Sequence, residues 1–243
     1  MSATDRFERV PSLPSSTQDR QTLVLWLLAG SIALSLLTPM LWVVLKASEV
    51  PLDQILEILL RQETLDIFVN SVVLVSLVTI GSILVGVPLA MLTVQTDLPF
   101  RRFWTVVAAL PLVIPSYIGA FAFISATGKG GAFTDVLAPV GIERIPAIEG
   151  LVGSVLVLIL FTYPYVYLTT RASLLSLDGR AIEAARSLNH SRLSAFRRVT
   201  LPQLIPGIAA GSLLVALYTL SDFGTPAIMQ YDVFTRMIYV EYR

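Results

Sequence analysis

The chain has 243 residues, 55% of them hydrophobic and 14% charged, and its 17 basic and 17 acidic side chains cancel. A mean hydropathy of +0.75 is too apolar for a soluble domain, so the bilayer is the expected solvent. The absence of cysteine excludes disulfides, thiolate zinc sites and iron–sulfur clusters. The lone histidine, His190, stands in a basic stretch and reads as a surface side chain, so no metal site is expected. Nor does the balanced charge call for nucleic acid.

Residues 1–21 mix charges with Ser, Thr, Pro and Gln and read as a disordered tail. The apolar run that follows is too long for a cleaved signal peptide and reads as a retained anchor. Five apolar stretches are predicted to cross the membrane as helices: 23–45, 67–94, 103–126, 151–170 and 205–220 with its flanks. Most of them reach the roughly 20 residues that cover about 30 Å of hydrocarbon. Lipid offers no partner to a backbone N–H or C=O, and runs this continuous lack the alternation of barrel strands, so the expected fold is all-α, a polytopic transmembrane bundle.

Orientation follows from charge. With the N-terminus inside, the inner segments hold eleven basic residues against six acids, and the outer ones six against eleven. Basic residues favour the cytoplasm, so the N-terminus is predicted to be cytoplasmic.

The stretches are rich in Gly, Ser, Thr and Pro, among them Gly86, Pro111, Pro115, Gly207 and Gly211. Small residues allow close helix contact, and prolines open the hydrogen-bond ladder. Ser116, Tyr117, Tyr163 and Asp222 are the candidates for a translocation path. Ordinary packing competes for the first three. For Asp222, at the end of the fifth stretch, the competing reading is plain interfacial solvation.

Residues 171–202, between the fourth and fifth stretches, are too long for a turn. Asp178 can cap a short helix whose Ala181, Ala184, Ala185 and Leu188 share one face by the i, i+3, i+4, i+7 rule. An alanine face lets a helix lie close against a partner, and Glu183 and Arg186 can make directed contacts at its rim. A membrane-surface helix would favour larger apolar residues. Asn189 tolerates the left-handed conformation of a C-terminal cap, and Ser191 can start a second helix.

The run Glu183-Ala184-Ala185-Arg186-Ser187-Leu188-Asn189, followed after nine residues by Val199-Thr200-Leu201-Pro202, resembles the cytoplasmic EAA loop of binding-protein-dependent ABC importer permeases. Val199 replaces the usual Ile, and Asn189 stands where the family usually has Gly. The resemblance implies a type I ABC importer permease-like bundle with a coupling helix that docks on an ATPase. That role would fall mainly to Ala181, Glu183, Ala184, Ala185, Arg186, Leu188 and Asn189, with Leu201 and Pro202 leading into the next span. Asn70-Ser71, the 111–115 stretch, Tyr163-Pro164 and residues 221–226 look like the ferric-iron branch, whose members often fuse two permease halves.

The same resemblance implies two ATPase subunits, an extracytoplasmic substrate-binding protein, a second permease half and surrounding membrane lipid as partners. This chain would bind no cofactor, with ATP and Mg on the ATPase, and would sit multi-pass in the inner, cytoplasmic membrane. Residues 22–243 would form the permease domain. A sixth span usual in such halves is not visible before Arg243, and truncation of a longer fused protein is the expected reason.

No catalytic residue is expected. The chain lacks HExxH, GxSxG and paired intramembrane carboxylates, and around Gly128-Lys129 it lacks a P-loop. The rival class is a secondary transporter or channel not coupled to an ATPase. Such proteins usually carry ionisable groups at the midplane, whereas these stretches are nearly free of charge.

Overall fold

A computed structural model describes residues 15–128, 131–133, 148–177, 198 and 200–241. The described elements are helical: α1 (Ser15–Ser48), α2 (Leu52–Leu60), α3 (Gln62–Gln95), α4 (Arg101–Val107), a 3-10 turn (Leu110–Val113), α5 (Ser116–Thr127), α6 (Gly150–Ser176), α7 (Leu201–Ser221), α8 (Gly224–Ile228) and α9 (Phe234–Glu241). The all-α membrane bundle expected from the sequence is the observed architecture.

Two compact units divide at Arg61 and Gln62. In the first, α1 begins at Ser15, inside the segment expected to be a tail. Its apolar residues cover the whole circumference, as suits a helix surrounded by lipid or other helices. Pro51 precedes α2, a short helix with an apolar face and Asp53 and Glu57 on its polar side. Glu57 pairs with Arg61 one turn on, at 3.3 Å and in the open, a contact worth little in itself.

The second unit is built around α6. Its residues Leu158 and Val166 share a core with Leu74 and Val78 of α3, Val215 of α7 and Val233. Tyr163, Tyr167 and Leu174 form a second cluster with Ala90, Ala108 and Leu204. Glycines set the spacing. A Cβ on Gly86 of α3 would sit 2.9 Å from both the Tyr163 carbonyl oxygen and the Tyr167 nitrogen, and one on Gly211 of α7 would lie 2.7 Å from Val166 Cα. The stretch 163–167 of α6 is thus clasped backbone to backbone from two sides, the close approach that small residues permit in membranes. Within this packing the Ser82 and Thr162 hydroxyls meet at 3.0 Å, fully buried, while Thr162 also donates to the Leu158 carbonyl.

Among the described residues, four helices are long and apolar enough to cross a membrane: Thr22–Ser48, Gln62–Gln95, Gly150–Ser176 and Leu201–Ser221. The third predicted stretch is not a continuous helix. Arg101–Val113 and Ser116–Thr127 meet at 94°, the geometry of a broken span or of a re-entrant loop. Two prolines account for the break. Pro111 opens the 3-10 turn, and Pro115 holds Ile114 in extended backbone, φ −96° and ψ 123°, as a residue before proline prefers. At the other end of this segment the Arg101 guanidinium donates to the Thr93 and Val94 carbonyls. A cation thereby closes the C-terminal turn of α3, whose last carbonyls lack intrahelical partners.

Candidate functional site

The break in the third stretch places Ser116 at the first position of α5, directly after Pro115. Across from it, α7 ends at Ser221, and the chain turns through Asp222 and Phe223 into α8. The two corners meet. The buried Ser116 hydroxyl donates to Asp222 Oδ1 at 3.1 Å, and the Tyr218 hydroxyl donates to Ser116 Oγ at 3.0 Å. Asp222 Oδ2 accepts the Thr225 backbone N–H at 3.3 Å, and the Asp222 carbonyl accepts the Thr235 hydroxyl at 2.9 Å.

Asp222 is half-buried. A hydroxyl and a backbone amide satisfy its two oxygens, and it lies beside the N-terminal end of α5, where a helix favours negative charge. Arg236, the nearest basic residue along the chain, is taken up by Asp232 one turn before it.

Of the four path candidates, the fold brings Ser116, Tyr117 and Asp222 together. Tyr117 is exposed, and its Cβ packs against the backbone of Gly224, leaving no room for a Cβ there. Tyr163 lies elsewhere. It is buried in the second core cluster and borders an apolar cavity of about 320 Å³ with Leu89, Leu92, Thr93, Trp104 and Ala108. Tyr218 and Tyr165 were not expected. Their half-buried rings stand 6.0 Å apart, one on α7 and one on α6. Tyr218 precedes Asp222 by one helical turn, a spacing that could have paired them; nothing in the sequence links either to Ser116.

Of the residues expected to couple to an ATPase, Leu201 and Pro202 form the first turn of α7. Ala181, Glu183, Ala184, Ala185, Arg186, Leu188 and Asn189 lie outside the described residues.

The profile of the family described as "Binding-protein-dependent transport system inner membrane component" matches residues 82–239. The chain is 34% identical over 218 residues, 90% of its length, to a Haemophilus influenzae protein named Fe(3+)-transport system permease protein FbpB 2, and spans 40% of that protein. It is 30% identical to a Haloferax volcanii protein named as a probable molybdenum ABC transporter permease, spanning 72% of it. A crystal structure of a bacterial ABC transporter that imports the acidic polysaccharide alginate superposes with a TM-score of 0.69 at 18% identity, over 92% of this chain and 85% of that one. The fold is shared at that distance. With a family match that takes in the bent pair of helices at Pro111–Pro115, the central helix α6 and the Asp222 corner, the chain belongs to the binding-protein-dependent transport system inner membrane components.

Proposed function

We propose that this chain is the membrane permease of an ATP-driven importer, fed by an extracytoplasmic binding protein. The observation that carries this reading is the family match over residues 82–239, which includes the EAA-like run. Segment 181–189 would act as the coupling helix, docking Ala181, Ala184, Ala185 and Leu188 in a groove of an ATPase subunit. Glu183 and Arg186 would contact the groove's rim, Asn189 would end the helix, and Leu201 and Pro202 would pass movement into α7. ATP and Mg would bind to two ATPase subunits, and a second permease half, fused or paired, would complete the bundle in the inner membrane. The charge asymmetry supports a cytoplasmic N-terminus.

Transport would proceed by alternating access. The glycine-clasped helices α3, α6 and α7 have no slack between their backbones and would move together. The proline break would then be the compliant point, and the Ser116–Asp222–Tyr218 corner its contact with the rigid group. Among the cargoes named for relatives we propose ferric iron. The sequence likeness to the Haemophilus protein supports it.

The test is association. Glu183→Lys, at the rim of the proposed docking face, is expected to abolish co-purification with the cognate ATPase while membrane insertion stays intact; unchanged co-purification refutes the docking role.

A further inference from the structure

Residues 49–61 are all that joins α1 to α3, two helices long and apolar enough to cross a membrane. Trp42 and Lys46 stand near the end of α1, with the ammonium 5.5 Å from the ring centre, and are residue types that mark a bilayer–water boundary. Only Glu49, Val50 and Pro51 separate α1 from α2, a reach of about 10 Å at full extension. The backbone is extended at Pro51 and again at Arg61, so α2 continues neither span. It has nine residues and rises about 14 Å, under half of the roughly 30 Å of hydrocarbon. A helix tethered in this way can neither cross the bilayer nor travel far from its surface.

Leu52, Ile55, Leu56, Leu59 and Leu60 follow the i, i+3, i+4, i+7, i+8 spacing of one helix face. Asp53, Gln54 and Glu57 fall on the other, where Glu57 pairs with Arg61. None of the residues of α2 is buried, and its four leucines are 54–78% exposed. Such a face favours any cover that removes it from water. Its residue types separate a lipid cover from a protein one. The face has no Gly, Ala or Ser of the kind that lets helix backbones approach, as Gly86 does against α6. Large apolar side chains opposite a charged side are instead the pattern of a helix that lies in the membrane interface. With two acids against Arg61 on the polar side, apolar area is the driving force and anionic headgroups are not needed.

We propose that α2 is an interfacial anchor, lying along the membrane surface with its leucine face sunk among lipid acyl chains and with Asp53, Gln54 and Glu57 turned to water. It pins the connection between the first two spans at the bilayer–water boundary. The proposal needs α1 to cross the membrane and nothing of the importer reading.

Site-directed fluorescence tests it. The chain has no cysteine, so Leu59→Cys and Gln54→Cys each give the full-length permease one thiol, on opposite sides of α2. Each variant is labelled with a small environment-sensitive fluorophore and reconstituted with its partners in vesicles of phosphatidylcholine, a lipid without net charge. A lipid carrying a nitroxide just below its headgroup is expected to quench the Leu59 label several-fold more than the Gln54 label. Iodide on both sides of the bilayer is expected to give the reverse order. Equal quenching by iodide at the two positions overturns the proposal, as does a Leu59 label shielded from both quenchers, which would place protein on that face. Should Leu59→Cys fail to assemble, Leu56→Cys on the same face takes its place, with the same outcomes.

Discussion

The Ser116 hydroxyl donates to the Asp222 carboxylate at 3.1 Å, joining positions 106 residues apart. This bond ties the far side of a proline break to the turn that ends α7. Tyr218 donates to the same serine, so one hydroxyl joins the helix after the break to two positions at the end of α7.

Removing the carboxylate leaves Ser116 and the Thr225 N–H without their acceptor. Asp222→Ala is therefore expected to destabilise the detergent-solubilised protein by about 1–3 kcal/mol, read as a fall in melting temperature. Asp222→Asn keeps one acceptor oxygen and should lose less. Equal loss in the two variants would show that the charge, and not the geometry, matters at this corner.

Gly86→Ala sets two effects against each other. Alanine is the better helix former by about 1 kcal/mol, but its methyl would lie 2.9 Å from backbone atoms of α6 that cannot step aside. Overpacking of that kind costs about 1–3 kcal/mol, so net destabilisation is expected. Leu84→Ala, on the exposed face of the same helix, should be nearly neutral. Unfolding of the two variants in a denaturant series checks the contrast.

Tyr231 lies beyond the α7 span, and burial pushes its phenol above the ordinary value. A raised value in the folded state means that folding favours the neutral phenol. The resulting stability is complete below about pH 10, the ordinary tyrosine value, and is lost as pH rises through the higher folded value. Tyr231→Phe should flatten that alkaline decline. An unchanged slope of stability between about pH 9 and 11 would contradict it.

The spans were legible because lipid imposes one rule everywhere: twenty or so apolar residues, with the backbone bonded to itself. Pro111 and Pro115 were visible as ladder breakers, yet a right-angled turn depends on what the next helix packs against, and Phe161 beside Gly119 is seen only in three dimensions. Asp222 stood out as a carboxylate near an apolar run, while its partners Ser116 and Thr235 come from other segments and carry no local mark. Tyr163 and Ser116 looked alike as polar residues beside prolines. The fold buries both but gives them different neighbours, because Tyr163 sits where Gly86 brings α3 onto α6.

The chain has no cysteine of its own, so Ala185→Cys introduces a single thiol on the alanine face of segment 181–189. With a short thiol-reactive crosslinker and the cognate ATPase in inverted membrane vesicles, the account predicts a crosslinked permease–ATPase product whose yield changes with ATP. A thiol labelled only from the extracytoplasmic side, with no ATPase crosslink, would contradict it.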